Sequence, residues 1–195
     1  MTATAARTAG PGSRPRVVIA PDAYKGCLSA QAVAAAMARG LAQAWPEAVP
    51  VLLPMADGGE GTLEALAQDG PVLWRTRATV DALGRPVIVP TLLGQDADGP
   101  WAALESAAML GLPGAPGSVD GRHSGGLGVV LRALLQEGQQ RILIGLGGTS
   151  VVDGGAGLLD ALGARFRDAQ GRVLRPVPRS LLHAQDLDLR TLEPL

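Results

Sequence analysis

Gly145-Leu-Gly-Gly-Thr-Ser-Val-Val-Asp-Gly-Gly-Ala-Gly157 follows the apolar run 142–144 and precedes the helix-like segment 158–162. A strand, a glycine-rich turn and a helix in this order form a βα unit. Glycine lacks the Cβ that keeps a ligand from the backbone, and the start of a helix offers unpaired N–H groups. The stretch therefore predicts a βα turn that binds an anion such as phosphate. It matches neither the GxxxxGK[ST] loop nor the GxGxxG fingerprint.

Two further βα units precede this stretch. Residues 16–21 and 49–54 are short apolar runs of the kind found in buried parallel strands. Residues 32–43 have helical spacing, with Ser29 as the expected N-cap, and a second helix is expected over 62–68. The pattern predicts an α/β fold with a three-layer parallel or mixed sheet and Rossmann- or flavodoxin-like units, followed by a second, inserted α/β domain.

The pattern changes near residue 71, where strong turn sequences separate apolar runs. Extended segments are expected at 72–80, 87–93 and 101–107, a helix at 124–137, a strand at 141–146 and a hairpin over 164–174. The predicted organisation is a disordered tail over 1–15, the first part of an α/β domain over 16–70, and a second α/β domain over 71–195 that is incomplete at its C-terminus.

The composition narrows the possible partners. Of 195 residues 47% are hydrophobic and 18% charged, which excludes a disordered chain, and no apolar run is long enough to span a membrane. The net charge of -1 provides no field for binding nucleic acid or a membrane. A single cysteine, Cys27, agrees with a reducing compartment, so we expect a cytoplasmic protein.

Two clusters of charged residues follow the first two strands, at the position where open α/β sheets bind their ligands. Lys25 is suited to neutralise a phosphate or carboxylate, and Asp22 to accept a proton or bind Mg²⁺. The alternative is a turn aspartate beside a solvated lysine. Asp57 and Glu60 can converge on a cation or a hydroxyl, or form the N-cap and capping-box pair of the next helix.

A third cluster precedes the helix expected at 124–137. Ser124 and the glycines after it form another helix start that can bind an anion. His123 lies beside them, but an isolated loop histidine is more often structural. Three or four such loops at strand-to-helix turns suit magnesium-dependent phosphoryl transfer, in which positioning and charge neutralisation provide most of the catalysis.

Three segments resemble one family in order and spacing: 19–30 (IAPDAYKGCLSA), 56–62 (ADGGEGT) and 144–157 (IGLGGTSVVDGGAG). They closely resemble the type 1 glycerate kinases, enzymes of glyoxylate and sugar-acid breakdown. The resemblance implies ATP-dependent phosphorylation of D-glycerate to 2-phosphoglycerate, with two α/β domains and an active site in the cleft between them.

The resemblance also suggests roles for the matched residues. Asp153 or Asp22 would orient or deprotonate the hydroxyl, and Lys25 would bind a phosphate or the glycerate carboxylate. Asp57 and Glu60 would lie near Mg²⁺ or substrate, without a defined metal-ligand set. The backbone that binds phosphate and substrate would come from the glycine-rich loops with their hydroxyls: Gly58, Gly59, Ser124, Gly147, Gly148, Thr149, Gly154 and Gly155.

The chain also departs from the family pattern. Neutral donors expected near 123–128 and 150–152 are replaced, whereas the charged residues are kept. The family's chains are about twice as long, so this chain resembles their N-terminal half. One alternative is thus an inactive fragment, or one half of a split kinase that pairs with a separate C-terminal half or self-associates. Another is a phosphosugar- or nucleotide-binding module without catalysis.

Overall fold

A computed structural model describes residues 14–68, 70–111 and 118–192. Its contacts divide the chain into two compact units, the first ending at Ala56 and the second beginning at Asp57. The first unit contains strand β1, helix α1 and strand β2: Arg16–Ile19, Ala30–Ala44 and Val49–Leu52. The second contains α2 (Thr62–Leu66), β3 (Val72–Val80), β4 (Pro86–Asp96), β5 (Gly99–Glu105), α3 (Ala107–Leu110), α4 (Gly125–Gln136), β6 (Ile142–Gly145), α5 (Ala156–Ala161), β7 (Arg165–Arg167), α6 (Pro178–Leu181) and β8 (Asp186–Asp188).

The first unit confirms the parallel pairing expected for its strands. β1 and β2 pair in parallel from Arg16 opposite Val49 to Ile19 opposite Leu52. Helix α1 connects them, because a parallel pair requires a crossover. The Ser29 side chain caps the helix by accepting a hydrogen bond from the Ala32 N–H at 3.2 Å, as predicted.

The second unit is built on a mixed four-stranded sheet in the order β3-β4-β5-β6. The first three strands are antiparallel neighbours, whereas β5 and β6 run in parallel. The core cluster of the unit includes Val89, Leu104, Met109, Val130 and Leu134. The sheet and its helices confirm the α/β fold class.

Two segments differ from their sequence prediction. The extended run predicted over 101–107 ends at Glu105, and α3 begins at Ala107. The hairpin predicted over 164–174 is reduced to a bridge between Arg167 and Val173, and β7 instead pairs with β8. Pro176 and Pro178 follow this bridge, and because proline has no N–H to donate they prevent a longer ladder.

Helix α2 belongs with the second unit. Its Leu63 is buried in a cluster with Leu92 and Ala103 of the sheet. The boundary between the two units along the chain therefore follows residue 56, earlier than the boundary predicted after residue 70. Of the predicted tail, residues 1–13 lie outside the described residues, while the Pro15 carbonyl already accepts a hydrogen bond from Val49 N. The assignment of residues 16–70 and 71–195 to two domains stays a prediction.

Candidate functional site

Asp22 and Lys25 lie in the loop that follows β1, on the first unit. Both are exposed. The Asp22 carboxylate accepts a hydrogen bond from the Ala23 N–H at 2.6 Å. Tyr24 and Leu28 exchange backbone hydrogen bonds of 2.9 and 3.0 Å around a tight turn, so Lys25 lies near the tip of a short loop. The position after the strand is the one that the sequence predicts.

The second unit brings two of the predicted glycine-rich loops into backbone contact. We call residues 57–61 the first loop and residues 145–155 the second loop. A Cβ on Gly145 would lie 2.6 Å from the Gly58 carbonyl oxygen, and a Cβ on Gly147 would lie 2.5 Å from Gly59 N. Side chains do not fit at such distances, so these glycines are required for the loops to pack.

The first loop does not form the capping box that the sequence left open for Asp57 and Glu60. The N-cap of α2 is Gly61, with φ of +97° and no side-chain cap. The Asp57 carboxylate instead accepts the Gly59 N–H at 2.9 Å, within the loop itself. Glu60 is exposed. The capping-box interpretation was therefore wrong.

Asp153 belongs to the second loop and is only 6% exposed. Its Oδ2 accepts the Ser124 N–H at 2.7 Å, the Ser124 hydroxyl at 2.8 Å and the Gly157 N–H at 2.9 Å. Its Oδ1 accepts the Gly155 N–H at 3.1 Å. Ser124 Oγ in turn accepts the Leu158 N–H at 2.9 Å. This pair therefore joins the starts of α4 and α5, and the contacts favour a positioning role for Asp153 over proton transfer.

The second loop is fixed at another point by Ser150. The Ser150 hydroxyl donates to the Leu110 carbonyl at 2.7 Å, and its backbone N–H donates to the same oxygen at 3.0 Å. The buried guanidinium of Arg122 donates to the Ser150 carbonyl at 3.3 Å. Ser150 thus ties the second loop to two other segments, at Leu110 and at Arg122.

Parts of the second loop face outward. Gly148, Thr149 and Gly154 are exposed. Gly154 has φ of +61°, and a Cβ there would meet no atom within 4 Å. The predicted site glycines therefore divide into those that pack the loops and those, such as Gly154 and Gly155, that turn the backbone where an added Cβ would meet no atom. Gly154 is exposed to an approaching anion, whereas the Gly155 N–H already donates to Asp153.

Glu105 is a candidate functional residue that the sequence interpretation missed. It ends β5, is 6% exposed, and accepts the Leu63 N–H at 2.7 Å through Oε1. Burial raises the pKa of this carboxyl and the nearby Glu64 adds to the rise, whereas the hydrogen bonds from the backbone oppose it. An acid that closes the apolar run 101–104 was the signal available in the sequence.

This burial predicts a pH dependence of stability. A carboxyl whose pKa is raised by folding stabilises the fold below its ordinary pKa, and that contribution is lost as the pH rises through the folded value. Relative to Glu105→Gln, the wild type should lose free energy of unfolding as the pH rises from the ordinary glutamate pKa through the raised pKa of the folded state. Urea denaturation at several pH values measures the difference, with the exposed Glu47→Gln as control. A difference that does not change with pH would contradict the expectation.

His123 has a structural role. Its Nδ1 accepts the Gly125 N–H at 3.1 Å, beside the start of α4. This contact agrees with the structural alternative for His123.

The described residues contain no group of three or more metal-ligating side chains. Mg²⁺ is commonly bound by one or two carboxylates together with substrate phosphates. Asp57 and Glu60 on the first loop provide carboxylates of that kind.

Comparison with known proteins identifies the family. Residues 17–195 match the profile of the glycerate kinase family. The chain is 38% identical over 182 residues to glycerate 2-kinase of Escherichia coli K12, covering 92% of this chain and 47% of the relative. It is 37% identical over 185 residues to glycerate kinase of Bacillus subtilis 168, covering 91% and 47%.

A solved structure of a protein from Salmonella typhimurium LT2, provisionally assigned as glycerate kinase 2, agrees with the chain in fold. It has a TM-score of 0.73 and 38% identity, with 92% of this chain and 48% of that chain covered. The chain thus spans about half the length of the relatives that it matches. The chain, which matches about half of each relative, therefore belongs to the glycerate kinase family.

Proposed function

We propose that the chain contributes to transfer of the γ-phosphoryl group of ATP to D-glycerate, giving 2-phosphoglycerate. The observation that carries the proposal is the contact between two glycine-rich loops, with the exposed backbone of the second loop at Gly148, Thr149 and Gly154. Phosphoryl transfer depends mainly on positioning and charge neutralisation, and rigid loops with open amides suit both. The relatives named glycerate kinase support the acceptor.

Each residue type suggests a role. Backbone amides of Gly148, Thr149 and Gly154 would bind phosphate oxygens. Gly155, whose N–H donates to Asp153, would support the same turn through its left-handed backbone. The exposed ammonium of Lys25 would neutralise a phosphate or the glycerate carboxylate, and Asp22 would orient the hydroxyl and accept its proton.

The remaining acids have other roles in the proposal. Asp57 and Glu60 would hold Mg²⁺, which would neutralise charge on the phosphates when bound. Asp153, with Ser124, fixes the backbone that binds the phosphate, because its carboxylate oxygens already accept four hydrogen bonds.

The proposed setting is the cytoplasm, with a small-molecule substrate and neither nucleic acid nor membrane as partner. Within residues 14–68, 70–111 and 118–192, no helix has the length and apolarity to cross a bilayer. The near-neutral net charge of -1 gives no general attraction for nucleic acid.

An assay of ADP release, in which the purified chain is incubated with ATP, Mg²⁺ and D-glycerate, tests the proposal. Turnover that requires D-glycerate and yields 2-phosphoglycerate is the expected result for the purified chain. If ATP is bound but no product forms, the chain is a nucleotide-binding module. If neither occurs, it is an inactive half, and activity that appears only with a separate C-terminal half identifies a split kinase.

Lys25→Ala should lower kcat/KM about 30-fold, because a hydrogen bond to a charged group contributes roughly 1.5–3 kcal/mol. The control is Arg39→Ala, which removes an exposed positive charge from α1 of the same unit. The same ADP-release assay measures both variants. Equal kcat/KM values for the two variants would exclude the proposed role of Lys25.

A further inference from the structure

We propose that Glu105 and Ser106 are positioning residues that together fix the two glycine-rich loops relative to each other. They are adjacent in the chain at the end of β5, and each contacts one side of the loop pair. We call Glu105 and Ser106, with the bonds that they make to the two loops, the bracket. Its relevance for phosphate binding rests on the proposed function, whereas its existence rests on the contacts described below.

Glu105 fixes the first loop through the start of α2. Alternation along β5 places Glu105 on the same face as Ala103, which packs with Leu63. The Leu63 N–H donates to Glu105 Oε1 at 2.7 Å. This bond holds the helix that directly follows Gly61, so the carboxylate determines where the first loop ends.

Ser106 fixes the start of the second loop. Its hydroxyl donates to the Gly145 carbonyl at 2.7 Å, and its backbone N–H donates to the same oxygen at 2.9 Å. Ser106 is fully buried. Gly145 is the last residue of β6 and lies opposite Glu105 in the parallel ladder. The hydroxyl thus supplements the ladder at the residue where the second loop begins.

The contact between the loops couples these two attachments. Gly145 and Gly147 pack directly against the backbone of Gly58 and Gly59. Displacement of either loop must therefore disturb the other, because close-packed backbone has no space to yield. β5 lies between β4 and β6 in the sheet, which provides a rigid base for both attachments.

Glu105 acts through the backbone. Its carboxylate is buried and is engaged by the Leu63 N–H. We therefore expect its effect to depend on an acceptor oxygen in the right place and not on negative charge. Glutamine keeps that acceptor and alanine removes it, so the two substitutions separate these possibilities.

Amide hydrogen exchange of the full chain, followed by NMR without any ligand, tests the bracket. The reporters are three hydrogen-bonded amides: Gly59 in the first loop, Leu63 in the helix that directly follows it, and Ser150 in the second loop. The measured quantity is the exchange rate of each reporter amide divided by that of the Leu134 amide in the core. Local opening of a loop raises this ratio, whereas global destabilisation does not.

Glu105→Ala should raise this ratio at least about tenfold for Leu63, and also for Ser150, which has no bond to Glu105. Ser106→Ala should likewise affect both loops. Glu105→Gln should stay within about threefold of the wild type. The control is Val130→Ala in the core cluster, which lowers global stability but removes no hydrogen bond of either loop, so it should not raise the ratio.

Two results would overturn the bracket. In one, each substitution accelerates exchange only in its own loop; in the other, Glu105→Gln opens the loops as much as Glu105→Ala. The readout requires neither ATP nor glycerate, so it is decided separately from kinase activity. An inactive chain with coupled loops would refute the proposed function and leave the bracket intact.

Discussion

Asp153→Ala is expected to lower the free energy of unfolding of the second unit by about 3–5 kcal/mol, since each buried donor left without an acceptor costs roughly 1–3 kcal/mol. The substitution removes the acceptor for the N–H groups of Ser124, Gly155 and Gly157 and for the Ser124 hydroxyl. These donors lie at the N-terminal ends of α4 and α5, so the substitution removes the hydrogen bonds that join the two helix ends. Urea denaturation followed by circular dichroism measures the loss.

The matched control is Asp98→Ala, because the Asp98 side chain is 86% exposed. Surface changes of this kind stay within about 0.5 kcal/mol. Ser124→Ala should be destabilising alone but add little to Asp153→Ala, because the two side chains form one network. A stable Asp153→Ala variant, or fully additive losses, would show that the network does not support the helix starts.

Gly147→Ala is expected to reduce turnover at least about 100-fold, because a misplacement of about 1 Å in a catalytic site can cost that much. Its Cβ would lie 2.5 Å from Gly59 N and 2.7 Å from Gly59 Cα, so the two loops must separate. The ADP-release assay with D-glycerate measures the effect. If the wild-type chain binds ATP without turnover, Gly147→Ala should instead weaken ATP binding relative to the wild type.

Gly154→Ala is the matched comparison from the same loop. A Cβ at Gly154 meets no atom within 4 Å, so the cost is limited to the left-handed φ of +61°. That strain is about 1–2 kcal/mol for a residue other than glycine. The loop contact then remains. If Gly147→Ala retained as much activity as Gly154→Ala, close packing of the loops would not matter for the site.

Local sequence signals predicted the secondary structure well where turns and caps are strong. The predicted segment 72–80 coincides with β3, because turn sequences border its pairing with β4. The Ser29 cap of α1 was predictable because its hydrogen bond joins residues only three positions apart. The hairpin predicted over 164–174 is limited to a bridge between Arg167 and Val173, and the longer ladder of β7 is with residues 186–188.

The site was only partly predictable for the same reason. Glycine-rich loops after strands were visible in the sequence, but which glycines pack and which face outward depends on loops about ninety positions apart. The bond from Leu63 to Glu105 spans 42 positions, and that from Ser124 to Asp153 spans 29. No local pattern predicts such contacts, so Glu105 was missed and Asp153 was first interpreted as a reactive group.

Binding of a nonhydrolysable ATP analogue with Mg²⁺, observed through backbone amide NMR shifts, tests the central claim most directly. The claim is that the outward backbone of the second loop binds phosphate. The account predicts saturable shifts at the amides of Gly148, Thr149 and Gly154 that are larger than those elsewhere in the second unit. Binding that shifts other residues and leaves these three amides unchanged would contradict it.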